Sequence, residues 1–233
     1  MYNLKKIRPM LKITNLTKSF GKFKAVNQVS LEATKPGLYI FVGANGSGKT
    51  TLFNLINGFI LPDSGNISLN KITQPDKIRS VSGISTEPFI TEPSLNVAEI
   101  VDIAKRMKGA KNRQADQWLA FWQLEQVRDK RFKTLSTGIK KRLSLTLSLL
   151  GNPDYLFWDE PFNGLDPVGI SLLNQLIHQL IEQGKYLFLS THLLNEIETN
   201  KAHFFVMKNG QLVNTFVGNT KEQQRQIINT LKS

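Results

Sequence analysis

The feature that most constrains this sequence is a glycine-rich loop between a short apolar run and a helical pattern. The loop runs from Gly43 to Thr50 and fits G-x-x-x-x-G-K-[ST] at every fixed position. Residues 38–42, just before it, are continuously apolar, which is typical of a strand buried on both faces. A helix is predicted from Thr50 to about Asn57, with Gly58 ending it. This order predicts an α/β fold with a phosphate-binding loop after a buried strand.

The residue types in the loop suit that chemistry. Glycines let the backbone fold around phosphate oxygens with its N–H groups pointing inward, and the helix N-terminus adds partial positive charge. The Lys49 ammonium would reach the terminal phosphates, and the Thr50 hydroxyl can ligate Mg²⁺. The sequence therefore predicts a nucleotide site formed by Gly43, Asn45, Gly46, Ser47, Gly48, Lys49, Thr50 and Thr51.

A second apolar run, residues 155–158, ends in two adjacent carboxylates, Asp159 and Glu160. A carboxylate at the tip of a neighbouring strand is well placed to hold Mg²⁺, directly or through water. A second carboxylate beside it can orient or deprotonate an attacking water. We therefore expect Thr50 and Asp159 at the metal and Glu160 at the reacting water.

Composition narrows the function classes. The 233 residues include no cysteine, which excludes disulfides, thiolate metal sites and a cysteine nucleophile. A formal net charge of +12 favours an anionic partner, which could be nucleic acid, a phosphorylated ligand or a membrane surface. No apolar run reaches about 18 residues and the start does not resemble a signal peptide, so a cytosolic location is expected. Residues 1–9 could be a flexible extension or a short ordered one.

The remaining pattern predicts one domain over residues 1–233. Strands are predicted at residues 11–16, 26–33 and 186–189, a helix at 168–183, a hairpin at 202–207 and 211–216, and a terminal helix at 221–231. The stretch from about 95 to 150 is helical and basic, with Asn96 as N-cap, Glu99 completing a capping box and Gly109 ending the first helix. This predicts a helical subdomain of about residues 95–150 inserted in the α/β core. Trp118, Leu119 and Trp122 are interpreted as core residues.

Two further segments identify a family. Leu135-Ser-Thr-Gly-Ile139 precedes the Asp159 strand by one helix, and Leu189-Ser-Thr-His192 ends the next strand. Together with the glycine loop and Asp159-Glu160, this order and spacing resembles the nucleotide-binding subunit of ABC transporters. The resemblance implies an ABC-type P-loop NTPase core with a mixed sheet, an N-terminal antiparallel β subdomain and a helical subdomain.

The resemblance also implies roles for individual residues. Ser136 and Gly138 match the signature motif that contacts the γ-phosphate bound by the other subunit, and Asn163 to Asp166 match a loop crossing that dimer interface. Glu160 matches the catalytic carboxylate and His192 the switch histidine, which act together with Lys49. Phe20 matches the aromatic residue that stacks on adenine, with Phe23 as a rival.

Two positions depart from the family pattern. The signature reads Leu-Ser-Thr-Gly-Ile where Leu-Ser-Gly-Gly-Gln is commonest, so Thr137 replaces a glycine. This form resembles exporters whose permease is a separate chain. Glu87 stands where the family usually has a glutamine that meets Mg²⁺ and the attacking water. A carboxylate can still ligate Mg²⁺, but its charge would weaken ATP binding or retune hydrolysis.

The resemblance implies a Mg²⁺-dependent ATPase that drives a membrane transporter. Two copies, or this chain and a paralogue, would sandwich ATP on the cytoplasmic face of the membrane and dock on a separate permease, with export as the expected direction. One alternative is a soluble ABC-type ATPase acting on nucleic acid or ribosomes, which the positive charge favours. Its relatives carry two such domains or long coiled coils, which this chain lacks. A phosphate-loop kinase would leave Ser136 and His192 without a role.

Overall fold

The computed structural model describes residues 11–199 and 201–232, so the expectation for residues 1–9 lies outside the described residues. The strands of this part are β1 Leu11–Phe20, β2 Phe23–Ala33, β3 Gly37–Val42, β4 Ser64–Leu69, β5 Ser82–Ser85, β6 Tyr155–Asp159, β7 Tyr186–Thr191, β8 Ala202–Lys208 and β9 Gln211–Gly218. Its α-helices are α1 Lys49–Ile56, α2 Pro75–Val81, α3 Val97–Lys108, α4 Asn112–Phe121, α5 Thr137–Leu149, α6 Pro167–Glu182 and α7 Thr220–Lys232.

The strands form two sheets. The larger sheet has the order β5-β6-β7-β3-β8-β9, with β8 and β9 antiparallel and the other neighbours parallel. The smaller sheet is antiparallel and has the order β2-β1-β4. The predicted α/β class, with a mixed sheet and an antiparallel N-terminal sheet, is therefore confirmed.

The central strands are buried on both faces, and successive side chains alternate between two apolar clusters. In β3, Leu38, Ile40 and Val42 belong to a cluster formed with helices α3 to α6, whereas Tyr39 and Phe41 belong to one formed with α1 and the smaller sheet. A strand buried in this way has no polar side, which explains its continuously apolar sequence. Packing on both faces fixes the strand ends, where the loops that carry the polar motifs begin.

The region between β5 and β6 is mostly helical and contains α3, α4 and α5. The Asn96 side chain accepts from the N–H of Glu99 while the Glu99 carboxylate accepts from the N–H of Asn96, so the predicted capping box is present. Gly109 ends α3 with a left-handed backbone, at φ 61°. Leu119 and Trp122 are buried in the core and Trp118 packs against it, as predicted.

Some elements differ from the predictions. The sequence predicts no element between residues 59 and 94, where the structure has β4, α2 and β5. β1 extends to Phe20, beyond the predicted end at residue 16, because it pairs with β2 on one side and β4 on the other. Across the described ranges, the helices include none long and apolar enough to cross a membrane.

Candidate nucleotide site

A cleft of about 330 Å³ lies at the carboxyl ends of β3, β6 and β7, beside the start of α1. The carboxyl ends of neighbouring parallel strands meet at one edge, which brings loops distant in sequence together. The cleft is lined by the glycine loop from Asn45 to Thr51 and by Phe23, Ala25, Glu87, Glu160, Asn163 and His192. Most of the residues predicted to bind nucleotide therefore lie in one place.

The glycine loop leaves no room for side chains at two positions. Gly48 has φ 104°, and a Cβ there would lie 2.3 Å from the carbonyl oxygen of Ala25. A Cβ on Gly43 would lie 2.4 Å from the carbonyl oxygen of Met207. Gly43 itself lies beside the cleft rather than among its lining residues. These two glycines let the loop pack tightly against the strands, which positions its N–H groups.

Lys49 is a buried cation, only 5% exposed, at the first position of α1. Its Nζ donates to the carbonyl oxygens of Gly43 at 2.7 Å and Ala44 at 3.3 Å. The same atom lies 3.6 Å from Oε1 of Glu160. Lys49 therefore sits between the loop that is predicted to hold phosphate and the carboxylate that is predicted to act on water.

Glu160 and His192 are joined directly. The N–H and Nδ1 of His192 lie 3.3 Å and 2.9 Å from Oε2 of Glu160. Because the two residues directly follow the adjacent parallel strands β6 and β7, the sheet itself sets this separation. Glu160 has a left-handed backbone, at φ 45°, which turns the chain out of the strand into the cleft.

Asp159 lies beneath Glu160 and is 4% exposed. The Ser190 hydroxyl donates to its Oδ1, and the N–H of Glu160 donates to the same hydroxyl at 3.0 Å. Burial raises the pKa of Asp159 above its ordinary value, while hydrogen bonds from Ser190 and Thr50 act in the opposite direction. The Thr50 hydroxyl therefore lies near the Asp159 carboxylate, as two ligands of one ion would.

This donor set fits a magnesium ion that arrives with a nucleotide. The part of the chain that is described contains no group of three or more His, Cys, Asp or Glu side chains able to hold a metal. Mg²⁺ at phosphate sites uses one or two protein carboxylates, with phosphate and water oxygens as its other ligands. Thr50 and Asp159 can supply the protein ligands of such an ion.

Glu87, the third predicted metal ligand, has a different partner. It lines the cleft, but its Oε2 is ion-paired with Nζ of Lys141. Lys141 is 3% exposed, and its Nζ also lies 3.4 Å from the backbone oxygen of Asp159. The ligand role predicted for Glu87 stays a prediction.

Ser136 and Gly138 lie at the start of α5 and are not among the residues lining this cleft. The Ser136 hydroxyl accepts from the N–H of Ile139 at 3.4 Å and caps the helix. A Cβ on Gly138 would lie 2.7 Å from the carbonyl oxygen of Gly164, so the signature segment packs against the loop that follows Glu160. In the same loop Asp166 caps α6 and accepts a hydrogen bond from Arg142 of α5.

The two candidate aromatic residues face each other across a hairpin turn. Phe20 ends β1 and Phe23 begins β2, and they are paired in the sheet register. Their exposed fractions are similar, 52% and 57%. Phe23 lines the cleft and Phe20 does not. The geometry therefore favours Phe23 as the residue that stacks on adenine, rather than Phe20, which the resemblance implies.

Two site residues, Lys141 and Ser190, were not singled out by the sequence. Lys141 falls in the basic run of α5, where a lysine looks like one of several surface cations. Ser190 lies two residues before His192. Because β6 and β7 are neighbouring strands, this segment could have been predicted to place a hydroxyl beside Asp159.

Comparison with known proteins agrees with this geometry. Residues 26–163 match the family model described as "ABC transporter". The chain is 32% identical over 190 residues to the lantibiotic transport ATP-binding protein SrtF of Streptococcus pyogenes, covering 81% of this chain and 82% of that protein. It is 34% identical over 215 residues to the bacitracin transport ATP-binding protein BcrA of Bacillus licheniformis, covering 88% and 68%.

Solved structures show the same fold. An ATP-binding subunit of an ABC transporter superposes with a TM-score of 0.82 at 22% identity, covering 96% of this chain and all of that one. A dimeric ABC transporter cassette superposes with a TM-score of 0.77 at 25% identity, covering 88% and 97%. The same cassette has been solved in a post-hydrolysis state with ADP and phosphate. The chain belongs to the ABC transporter family and is an ATP-binding subunit of the kind that hydrolyses ATP.

Proposed function

We propose that this chain is the motor of an ABC exporter, that two ATP-binding subunits sandwich Mg²⁺-ATP between them, and that their closure drives a separate permease. The main observation that supports the proposal is the cluster of Lys49, Glu160 and His192 beside the glycine loop. Lys49 provides a cation for the phosphates and Glu160 a carboxylate for the attacking water, and phosphoryl transfer to water uses both.

In the proposed reaction, Lys49 leaves the loop carbonyls and binds the β- and γ-phosphates. Thr50 and Asp159 would hold Mg²⁺, which would supply positive charge to offset the charge on the phosphate oxygens. Glu160 orients the attacking water and accepts its proton as the water oxygen bonds to the γ-phosphorus. The bond from that phosphorus to the bridging oxygen breaks, and ADP leaves with the electron pair. The imidazole of His192, fixed through its contact with Glu160, faces the γ-phosphate.

The position of the signature residues supports a two-subunit site. Ser136 and Gly138 begin a 13-residue helix, where free N–H groups and the helix dipole attract an anion. Within one chain they lie outside the cleft that contains Lys49. We therefore propose that each cleft is completed by Ser136 and Gly138 of a second copy or of a paralogous subunit.

A separate groove is the proposed docking surface for the permease. This lateral groove has a volume of about 900 Å³ and lies between α2, α3 and the segment after β5. Its lining includes the exposed apolar side chains of Phe59, Ile90 and Met107. Exposed apolar patches of this kind mark surfaces that bind other proteins. Docking there would hold the chain at the cytoplasmic face of the membrane.

The names of the relatives support the direction of transport. SrtF and BcrA are named as lantibiotic and bacitracin transport ATP-binding proteins. The Leu-Ser-Thr-Gly-Ile form of the signature also fits an exporter with a separate permease. Export is therefore the direction that we propose.

The test has two parts. Purified chain should hydrolyse ATP with Mg²⁺, and Ser136→Arg should abolish ATP-dependent dimerisation while leaving ATP binding to the monomer. Co-expression with a permease should give a complex that Met107→Asp or Ile90→Asp weakens, whereas Val213→Asp, another exposed apolar position, should not. Unchanged complex formation in both groove variants would contradict the docking proposal.

A further inference from the structure

Lys141 is a buried cation that is paired with a carboxylate. Its ammonium group lies in the second turn of α5, is 3% exposed and pairs with the Glu87 carboxylate. Its Nζ also lies 3.4 Å from the backbone oxygen of Asp159. A buried ammonium group is tolerated only when paired, because it has lost its hydration.

The pair joins three segments that the reaction uses. Glu87 follows β5 and lines both the nucleotide cleft and the lateral groove. Asp159 ends β6, and α5 begins with the signature residues Ser136 and Gly138. Lys141 therefore touches the segment between the two cavities and the strand that presents the metal ligand.

Charge balance explains why a cation is needed there. The carboxylates of Glu87, Asp159 and Glu160 lie in or beneath one cleft, and ATP brings further negative charge to it. Two like charges a few ångströms apart near a protein surface repel each other, and water screens that repulsion only partly. Without Lys141, the Glu87 carboxylate would face the phosphates uncompensated.

We infer that Lys141 is a positioning residue for ATP hydrolysis, which holds the Glu87 carboxylate in place and offsets its charge, so that the chain binds ATP with an acid at this position. Glu87 and Lys141 then act as one unit that replaces a neutral side chain. The inference rests on the proposed assignment of the cleft as the nucleotide site.

The test is a double-mutant cycle with Glu87→Gln, Lys141→Gln and the combined variant. Binding of a fluorescent ATP analogue is measured in EDTA, so that neither the metal nor turnover contributes. Lys141→Gln should weaken binding about tenfold, because the Glu87 charge is left unpaired. The combined variant should return to within about threefold of wild type, since the charge and its partner are removed together.

Lys140→Gln is the matched control. It removes the same charge from the neighbouring residue, whose Nζ lies 4.8 Å from the Phe132 ring centroid instead of at the cleft. Its affinity should match wild type. Urea unfolding provides a second comparison. Glu87→Gln leaves a buried cation unpaired and should lower the free energy of unfolding. The combined variant should restore it.

The inference is overturned if Lys141→Gln binds the analogue as tightly as Lys140→Gln does. It is also overturned if the combined variant binds no better than Lys141→Gln. If Lys141→Gln fails to fold, the combined variant still tests the inference, because the inference requires that variant to fold and to bind the analogue. If wild type binds no nucleotide at all, the proposed function fails rather than the pairing of Glu87 with Lys141, which the unfolding measurements test separately.

Discussion

The side chain of His192 holds the Glu160 carboxylate through a 2.9 Å contact between Nδ1 and Oε2. An ionised carboxylate only accepts hydrogen bonds, so Nδ1 carries the proton and Nε2 remains available to a ligand. The backbone N–H of His192 lies 3.3 Å from the same oxygen. Two donors of the residue that follows β7 thus fix a carboxylate that follows β6.

His192→Ala should lower kcat about 100-fold, the lower end of the usual range for a group that acts in proton transfer or orientation. ATP affinity should change much less, because Lys49 and the glycine loop remain. The exposed His178 on α6 offers a matched control, and His178→Ala should retain wild-type kcat. A fall in kcat of the same size in both variants would contradict the role assigned to His192.

Ser190→Ala should destabilise the chain and impair Mg²⁺-dependent turnover. The buried hydroxyl bridges Asp159 and the N–H of Glu160, so its loss leaves a buried donor unpaired, at a cost of about 1–3 kcal/mol. Urea unfolding measures the first effect and the Mg²⁺ concentration for half-maximal activity measures the second. Ser171→Ala, at an exposed position of α6, serves as the control. Wild-type stability and Mg²⁺ dependence in Ser190→Ala would show that the bridge is unimportant.

Phe23→Ala should weaken ATP binding more than Phe20→Ala does. Stacking of a base on an aromatic ring contributes about 1–3 kcal/mol, and Phe23 is the ring that lines the cleft. Titration of both variants with a fluorescent ATP analogue compares the two. The reverse order would return the adenine contact to Phe20, as the resemblance implies.

His203→Phe should reduce the loss of stability at mildly acidic pH. Burial lowers the pKa of His203 below its ordinary 6.5, and the charges of Lys201 and Lys35 add to this. The unfolded chain therefore binds a proton more readily, so the free energy of unfolding falls as pH falls through about 6.5.

Phenylalanine keeps a ring at the position that stacks on Tyr39 at 4.7 Å but cannot be protonated. Urea unfolding at pH 7.5 and 5.5 should show a smaller decrease for the variant than for wild type. Equal decreases would exclude His203 as a source of this pH dependence.

The sequence predicted the elements whose pattern is strong by itself. β3, β6 and β7 are continuous apolar runs buried on both faces, and glycines or prolines mark the ends of the helices near them. β5 was missed because Ser82-Gly-Ile-Ser85 carries almost no apolar signal. Its Gly83 is needed for close packing, since a Cβ there would lie 1.9 Å from the carbonyl oxygen of Ser148.

The sequence likewise predicted some residues of the site and missed a contact between two others. Lys49, Thr50, Asp159 and Glu160 were predicted because each lies in a local motif, and His192 because the segment that it ends resembles the switch segment of the family. The pairing of Glu87 with Lys141 joins residues 54 positions apart, and neither residue predicts the other. Only the packing of α5 against β5 brings them together. A departure from a family pattern at one position can thus depend on a second position that looks ordinary in sequence.

The most direct test of the account is Glu160→Gln. Wild type should hydrolyse Mg²⁺-ATP, whereas the variant should be at least about 100-fold slower and should accumulate as an ATP-bound dimer in size exclusion with light scattering. Glu182→Gln, at the exposed end of α6, should behave as wild type. A Glu160→Gln variant that turns over at the wild-type rate, or that stays monomeric with ATP bound, would contradict the central claim that Glu160 completes a nucleotide-sandwich motor.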